Sequence, residues 1–350
     1  MKRRRMVILA VAVGLLVVVA AGVIWVRARS GPDSRLAAAM ALAPSTAVRF
    51  SWTDWTAVRS ALHVSSADAD QNMGGFLNKA FDADLSSQSA LVDSARTMDD
   101  KYGVSPANLS WELYSQGTDG ALLQMGLPSS VDLGDLRDTL ERLGYHKPAS
   151  DDGVWTTPGD DLTAIGDITP ELANLTIDSS DHVLAASDSA AFLSTWRDHQ
   201  RGPAKGDDSI DQVVATVGDA RTAAVYDGDF ACQSLAMNQA DESDQATGAR
   251  LITEAGEINP LDAFAMAYEP SGDVRVAMAF ESADQARTNA DSRSKLAVGP
   301  APGQGGTFQD RFKLGPVTAD NDVVSMTLHP RPDNYVLSDL STGPLLFASC

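Results

Sequence analysis

Residues 6–26 form an uncharged run of 21 residues (MVILAVAVGLLVVVAAGVIWV), and this run constrains the chain more than any other feature of its sequence. At about 1.5 Å of rise per residue, a helix of this length spans the roughly 30 Å hydrocarbon layer of a bilayer. We therefore predict a single transmembrane helix over 6–26, preceded by a basic stub at 1–5 and followed by a tether at 27–43. Everything after the tether must then fold beside a membrane.

The charges that flank this run predict its orientation. Four positive side chains lie in 1–5, and Arg27 and Arg29 follow the run. Because an excess of positive charge favours the cytoplasmic side, we expect a cell-membrane protein with a cytoplasmic N-terminus and an extracytoplasmic C-terminal domain. A cleaved signal peptide is the alternative, since residues 19–21 (VAA) offer small side chains for cleavage. The apolar region of a signal peptide is usually only about 7 to 15 residues long, which favours the retained helix.

The charge of the rest of the chain limits its partners. Of the 27 Lys and Arg residues, six lie in the first 30 positions, and none of the 47 acids does. Residues 31–350 therefore carry 21 cations against 47 anions, and so strong a negative charge repels nucleic acid. We expect contact with the membrane through 6–26, and either a protein partner in the envelope or a small apolar ligand.

Two cysteines, Cys232 and Cys350, are present. In an oxidising compartment two thiols tend to pair, so we expect a Cys232–Cys350 disulfide that fixes the C-terminus. The apolar last residues (PLLFASC) suit a docked terminus. An intermolecular bridge through Cys350 and a pair of buried thiols are the alternatives.

The hydrophobic patterns predict an α+β fold. A strand, helix, strand, hairpin turn, strand and helix occur in this order at 120–199 and again at 273–341. We predict an ectodomain of two similar units, 44–202 and 203–350, each with an antiparallel sheet that helices cover on one face. An internal duplication explains this order, and convergence of two α+β units is the alternative.

The sequence contains part of a calcium-binding loop motif. Asp68, Asp70 and Asn72 alternate as calcium ligands do. The sixth and twelfth positions need a glycine and a bidentate acid, and they hold Met73 and Lys79. We therefore predict no metal site and no cofactor here.

Catalytic patterns are equally incomplete. Ser292 and Lys295 have a Ser-x-x-Lys spacing, but the companion Lys-Thr-Gly is absent and the pair lies in a predicted amphipathic helix. Trp52 and Trp55 are spaced as core anchors between a strand and a helix, although a ligand surface is the alternative. We assign no catalytic residue, and carboxylates that meet only in the folded chain stay an open possibility. The histidines are isolated in sequence at His63, His146, His182, His199 and His329.

Two segments carry a resemblance to a known group of proteins. These are residues 44–48 (PSTAV) and 102–111 (YGVSPANLSW). They resemble a bacterial family of unknown function with repeated α+β units, and the layout of the whole chain is similar to membrane-anchored extracytoplasmic proteins of actinobacteria. The resemblance covers mainly 44–200 and implies no catalytic residues.

Together these observations predict a membrane-anchored extracytoplasmic binding or assembly module of the cell envelope. The alternatives are a carrier or sensor of a lipid or other small molecule, and a hydrolase whose carboxylates assemble in the tertiary structure. A large apolar cavity would favour the carrier, and a cleft of converging acids with shifted pKa values would favour the hydrolase. An exposed apolar patch, without such a cavity and without such a cleft, would favour the assembly module.

Overall fold

The computed structural model describes residues 34–157, 162–199 and 208–350. The predicted stub and transmembrane helix lie outside these ranges. Within them, no helix has the length and apolar character that a membrane crossing requires.

The strands of these ranges form one continuous antiparallel sheet, so the α+β prediction is confirmed. The two predicted units do not have separate sheets, because the first strand of each pairs with the other. Across the sheet the order is β10-β11-β9-β8-β7-β1-β2-β3-β6-β5-β4. The strands are β1 (Ala47–Thr53), β2 (Trp111–Gly117), β3 (Ala121–Gly126), β4 (Trp155–Thr156), β5 (Asn174–Asp178), β6 (Val183–Ser187), β7 (Thr222–Asp227), β8 (Ala263–Tyr268), β9 (Val274–Ala279), β10 (Phe312–Asp320) and β11 (Val323–Pro330).

Helices cover both faces of this sheet, where the sequence predicted one covered face. Short helical turns at 170–173, 231–235, 237–239 and 346–348 add to them. The helices are α1 (Arg35–Met40), α2 (Trp55–Ala61), α3 (Ser66–Gln71), α4 (Met73–Asp82), α5 (Ala95–Tyr102), α6 (Leu133–Arg142), α7 (Leu162–Ile165), α8 (Ala190–His199), α9 (Asp208–Val217), α10 (Gly228–Phe230), α11 (Glu242–Ala255), α12 (Ala283–Leu296), α13 (Phe308–Arg311) and α14 (Val336–Ser341).

The two halves of the sheet have the same strand order. Outward from the centre, one half reads β1, β2, β3, β6, β5 and the other β7, β8, β9, β11, β10. The central pair is antiparallel, with Ser51 opposite Ala224 in the middle of its register. Directly after these strands, Asp54 and Asp227 accept backbone hydrogen bonds and cap the helices that follow. The repeated order predicted for 120–199 and 273–341 is therefore found, and it extends back to the first strand of each half.

The front face of the sheet carries two large cores, one in each half. In the first half, helices α2 and α4 to α6 bury Trp55, Phe76 and Leu140 against strands β3, β5 and β6. In the second half, α12 and α14 cover a core that includes Phe264 and Met278. Apolar side chains at helical spacing form the covering face of each helix, which is why these segments are helical and docked.

The back face, which carries Phe50 and Trp52, is covered by α1, α8 and α9. Alanines alternate along β8 and at the end of β9 on this face, and their small side chains leave room for α9 to lie close to the sheet. Helix α1 lies inside the range predicted as a tether. Its Leu36 and Met40 are buried, so the folded body includes residues well before Pro44.

Glu112 is a fully buried carboxyl group on the front side of β2. Its Oε2 accepts hydrogen bonds from Nε1 of Trp55 (2.8 Å) and Oγ of Ser89 (2.9 Å), and its Oε1 accepts one from the backbone N–H of Ala90 (2.7 Å). Burial outweighs these three donors and raises the pKa of Glu112 to about 7.

Asp84 is a second buried carboxyl group, and it joins the two halves on the front side. It follows α4 and accepts hydrogen bonds from the backbone N–H groups of Leu337 (2.7 Å) and Ser338 (3.1 Å) in α14. Burial raises its pKa to about 7, and these two donors lower it. Beside it, Nε2 of Gln88 donates to Oγ of Ser341 (2.8 Å). The halves therefore meet through polar contacts on this side.

The C-terminus is held by a disulfide and by a buried cation. Cys232 and Cys350 form a disulfide with a Cα–Cα distance of 5.6 Å, across 118 residues of chain. Arg293 is fully buried and donates to the backbone oxygens of Phe347 (2.7 Å) and Asn259 (2.6 Å). Burial lowers the pKa of Arg293 to about 9, so it is still a cation at neutral pH.

The raised pKa values of Glu112 and Asp84 predict a stability that falls as the pH rises. Between the unfolded pKa values, about 4, and the folded values near 7, the native chain holds protons that the unfolded chain has released. From pH 5 to pH 7.5 we expect the free energy of unfolding to fall by about 2 kcal/mol for each group. Urea unfolding at constant ionic strength, followed by tryptophan fluorescence, measures this.

The variant Glu112→Gln should remove about half of that pH dependence, because it no longer titrates. Glu242→Gln, at an exposed position in α11, is the matched control and should leave the slope unchanged. A slope that Glu112→Gln does not alter would contradict the buried, protonated carboxyl.

Removal of the disulfide should lower stability without loss of the fold. In the chain-entropy description, a bridge that closes a loop of this length contributes about 5 kcal/mol. We expect Cys232→Ala/Cys350→Ala to unfold at a correspondingly lower urea concentration, because Arg293 still holds the C-terminal segment. Treatment of the wild type with a reducing agent is the control and should reproduce the shift. Free thiols in the untreated protein, detected by alkylation and mass spectrometry, would contradict the bridge.

Candidate functional site

The back face of the β10–β11 hairpin is open, whereas the corresponding face in the other half is covered. In the first half, α8 packs Phe192, Leu193 and Trp196 onto Leu122 and Val183 of the sheet. In the second half, α9 lies mainly over β8 and β9 and reaches only the near side of β11. We name the surface beyond α9 the open face; its side chains, all exposed or half-buried, are Lys313, Thr318, Asp320, Ser325, His329 and Arg275.

The strand register explains why these side chains share one face. Lys313 pairs with His329, Thr318 with Ser325, and Asp320 with Val323. Side chains alternate between the faces of a strand, so the apolar residues between them point into the front core. Along β10, Thr318 and Asp320 are exposed while Val317 and Ala319 are half-buried. The polar alternation of the sequence therefore produces a solvent-facing polar surface.

Arg275 lies at the centre of this surface. Its Nη1 donates to Oγ of Ser325 (3.3 Å), and its Nε and Nη2 donate to the two carboxylate oxygens of Glu269 (3.2 and 3.3 Å). The two side chains are 29% and 19% exposed. The bidentate pair holds the guanidinium in place, so Arg275 presents a fixed donor next to the serine hydroxyl.

His329 forms a second polar pair at one end of the open face. Its Nδ1 is 2.7 Å from Oδ1 of Asp273. A Cβ atom at Gly315 would lie 2.6 Å from Nε2 of His329, so this glycine leaves the space that the imidazole occupies across β10. Aspartate and glycine together fix the position of the ring.

A groove of about 690 Å³ runs between the open face and α9. Gln212 and Thr216 line its helical side, and Thr318, Asn321 and Ser325 line the hairpin side. Nε2 of Gln212 donates to Oδ2 of Asp322 (3.3 Å), while its Oε1 has no hydrogen-bond partner among the described residues. The groove therefore offers both donors and acceptors to a polar ligand.

Four other clefts among the described residues are polar or small, and one of them, beside Met237 and Ile252, holds about 280 Å³. A cleft of about 450 Å³ beside Arg35 and Arg221 is polar, as is one of about 300 Å³ beside Asp152 and Arg197. A more apolar cleft, beside Met40, holds only about 190 Å³. Pockets for small molecules are typically about 300 Å³ or more.

The carboxyl group of Asp54 lines the cleft beside Arg35 and is paired with that side chain, whereas two other buried carboxyl groups do not line a cleft. Glu112 and Asp84 have raised pKa values, yet each is enclosed by its hydrogen-bond donors and lines none of these clefts. On the open face, His329 and Ser325 are four residues apart along one strand, which places their Cα atoms about 13 Å apart. This separation is too large for a base and a nucleophile. Among the described residues, no group of three or more His, Cys, Asp or Glu side chains could hold a metal ion.

The described surface has no broad apolar patch. Phe81 (55% exposed) and Val298 (37%) are its exposed large apolar side chains. The ring of Phe81 lies 5.3 Å from that of Tyr335, where the two halves meet. A single exposed aromatic pair is common on soluble domains, so the polar open face is the more extensive candidate surface.

Other residues singled out in the sequence have structural positions. Asp68 accepts a hydrogen bond from Ser65 and lies in α3, so no calcium loop forms. Nζ of Lys295 donates a hydrogen bond to the backbone oxygen of Ala255 (2.8 Å). The amine is engaged in this structural contact and is not positioned as a base. Trp52 and Trp55 are buried, as core anchors should be.

The open face was missed because its elements are far apart in sequence. Segment 312–328 was predicted as a hairpin, and its alternating polar residues could have indicated one solvent-facing side. Nothing local showed that Arg275, Glu269 and Gln212 would lie beside it. Strand β8 carries no polar alternation, because both of its faces are buried.

Comparisons with known proteins give a distant structural likeness. No family model and no curated protein sequence matches the chain. Crystal form III of TP0453 superposes with a TM-score of 0.42 and 7% identity, covering 90% of this chain and all of the other. Crystal form I superposes with a TM-score of 0.38 and 8% identity, covering 88% of this chain and 97% of the other.

Proposed function

We propose that the protein is a membrane-anchored, extracytoplasmic binding module of the cell envelope, and that the open face is its binding surface. The observation that carries this proposal is the contrast between the halves. Two sheet halves with the same order of their five shared strands differ on the back face of their outer strands: α8 and its apolar side chains cover the first, and the second presents polar side chains to solvent.

The chemistry of the clefts supports binding over the two alternatives. A lipid carrier needs an apolar cavity, and the clefts described above are polar or small. A hydrolase needs a nucleophile and a base, or two carboxyl groups, at one exposed place. The open face presents fixed hydrogen-bonding groups, which suits recognition of a partner rather than chemical change.

The proposal includes the membrane anchor at 6–26, as in the actinobacterial proteins whose layout the chain resembles. It also includes an origin of the ectodomain by internal duplication. The shared strand order and the two equivalent aspartate caps support the duplication. The charge asymmetry around residues 6–26 supports the orientation.

The anchor and its orientation predict where the chain is found after cell fractionation. We expect the full-length chain to stay in the membrane pellet after alkaline carbonate extraction, with its original N-terminus by mass spectrometry. Protease added to intact spheroplasts should digest the C-terminal domain. A chain shortened near residue 21 and released by carbonate would instead show a cleaved signal peptide.

The binding role predicts a companion that depends on the open face. We expect native mass spectrometry of the full-length protein, gently extracted from its own membrane, to show a reproducible companion mass. Thr318→Arg should remove it, because the new side chain fills the groove. Ala246→Arg, which adds the same charge at an exposed position of α11, should not. A wild-type protein without a companion, or a companion that Thr318→Arg retains, would contradict the proposal.

A further inference from the structure

The outer edge of the sheet differs between the two halves. Strand β5 of the first half and strand β10 of the second hold the same place in the strand order, but only β5 has a neighbour on its outer side. That neighbour is β4, which pairs Trp155 with Leu175 and Thr156 with Asn174. Among the described residues, no strand pairs with the outer side of β10, so the second half ends on an open edge.

The chain that precedes each outer strand accounts for this difference. In the first half, the connection from α6 to β5 covers 143–173 and contains β4. In the second half, the corresponding connection from α12 to β10 covers 297–311 and is about half as long. It forms a loop and the short helix α13 instead of a strand. The second half therefore has a position for a sixth strand that this connection does not fill.

The burial of the edge residues shows the effect of the missing strand. Counted back from the hairpin turn, Leu175 and Ile177 of β5 correspond to Val317 and Ala319 of β10. Leu175 and Ile177 are fully buried, and Trp155 of β4 lies in the same core. Val317 and Ala319 pack against the second core in the same way but stay half-buried. An added strand with an apolar side chain beside Val317 would bury both of them further.

The free backbone groups of β10 belong to the same two residues. The two-residue turn between β10 and β11 makes Asp320 and Val323 a hydrogen-bonded pair, and hydrogen-bonded and non-hydrogen-bonded pairs alternate from there. The N–H and C=O groups of Val317 and Ala319 therefore point away from β11. In the part of the chain that the structure describes, no group beyond the hairpin bonds to them.

The start of β10 is protected against pairing. A bulge lies between Leu314 and Val317, and Pro316 within it has no N–H to donate. A bulge and a proline are typical of an edge strand that avoids aggregation. They restrict an added strand to 317–320. This stretch is long enough, because β4 pairs with only two residues of β5.

The charges at this end of the edge favour a basic partner. Asp320 is exposed at the end of β10, and Asp322 follows it in the turn. Lys313 is the cation of β10, and it lies roughly 20 Å away, beyond the bulge. Arg287 of α12 is already paired with Asp284. A basic strand would therefore be attracted to 317–320, and an acidic strand would be repelled.

We infer that the outer edge of β10 accepts an extended, basic segment of a partner protein, which pairs with Val317 and Ala319 as an additional strand of the sheet. The inference rests on the proposed function, because it specifies how a partner binds beside the open face. The occupant is chosen by the position that β4 fills in the first half, by the half-buried apolar side chains and by the acids at the turn. A second copy of this acidic chain would bring like charges rather than complementary ones.

The test uses the full-length chain in phosphatidylcholine nanodiscs and hydrogen–deuterium exchange with mass spectrometry. The probe is the peptide acetyl-KVKWKVK-amide, in which apolar side chains alternate with lysines as they would in a strand at this edge. We expect saturable binding that slows amide exchange in 317–320, because the outward N–H groups gain hydrogen-bond partners.

Two further peptides separate backbone pairing from attraction between charges. Acetyl-EVEWEVE-amide has the same alternation with the opposite charge and should not bind. The basic peptide with methylated backbone nitrogens at its Val and Trp residues keeps its side chains and its charge. These residues would lie opposite Val317 and Ala319, so methylation removes the donors that face β10 and should weaken the affinity at least tenfold.

Two variants link the binding to the edge. Ala319→Pro removes an outward N–H without loss of a bond to β11, and it should weaken the affinity for the basic peptide at least fivefold. Asp320→Asn leaves the backbone unchanged, removes one negative charge and should weaken the affinity severalfold. Glu242→Gln removes one negative charge from an exposed position of α11, and this matched control should bind as the wild type does.

Several outcomes would overturn the inference. One is the absence of protection by the basic peptide, and another is equal protection by its methylated form, which would show attraction between charges alone. Protection of 317–320 without peptide, at increasing protein concentration, would make a second copy the occupant. The proposed function is judged independently by the companion mass. A companion that Thr318→Arg removes and Ala319→Pro retains would keep the open face as the binding surface and overturn the added strand.

Discussion

The backbone ladder between β1 and β7 is the contact on which the rest of the structure depends. It joins strands about 170 residues apart, from the pair Arg49 and Tyr226 to the pair Thr53 and Thr222. Two side chains fix its register: Nε1 of Trp52 donates to the backbone oxygen of Ala220 (3.0 Å), and Oγ1 of Thr222 donates to that of Trp52 (3.0 Å). A slip of one residue would move Trp52 to the front face and empty the back core. Both halves extend outward from this pair, so its register sets the place of every other strand.

On the front side of the sheet, buried polar side chains join the two halves. The helices of each half bury their own apolar faces, and the space between them over the central strands is closed by polar groups. Asp84 accepts from the backbone of the first turn of α14, and Gln88 donates to Ser341 at the end of the same helix. Buried polar contacts of this kind contribute geometry more than net stability, because desolvation of the carboxyl group opposes the hydrogen bonds it gains. For Asp84 the desolvation is larger than the effect of its hydrogen bonds, so its pKa is raised towards neutrality.

Local patterns predicted what local interactions determine. The side chain of Ser282 accepts from the backbone N–H of Gln285 and caps helix α12, and apolar residues at helical spacing, Ile210, Val213 and Val217, form the buried side of helix α9. The single sheet could not be predicted, because the pairing of β1 with β7 leaves no mark in either segment. Helix α1 was read as part of a tether because its alanines suit a flexible linker as well as a close-packed helix. The open face forms only when the register of β10, β11 and β9 brings Arg275 beside the hairpin. The sequence shows each of these polar residues but not that they lie together.

Helix α1 has a mechanical consequence. Its first turn lies beside Asp54 and Ala220 and its last beside Ala47 and Asp227, so it lies along the central strand pair. Two guanidinium hydrogen bonds from Arg35 to Asp54, both 2.7 Å long, hold its first residue. A pull on the chain before Ser34 therefore reaches the middle of the sheet before its outer strands. The β10–β11 hairpin lies three strands away from the point where such tension enters the sheet.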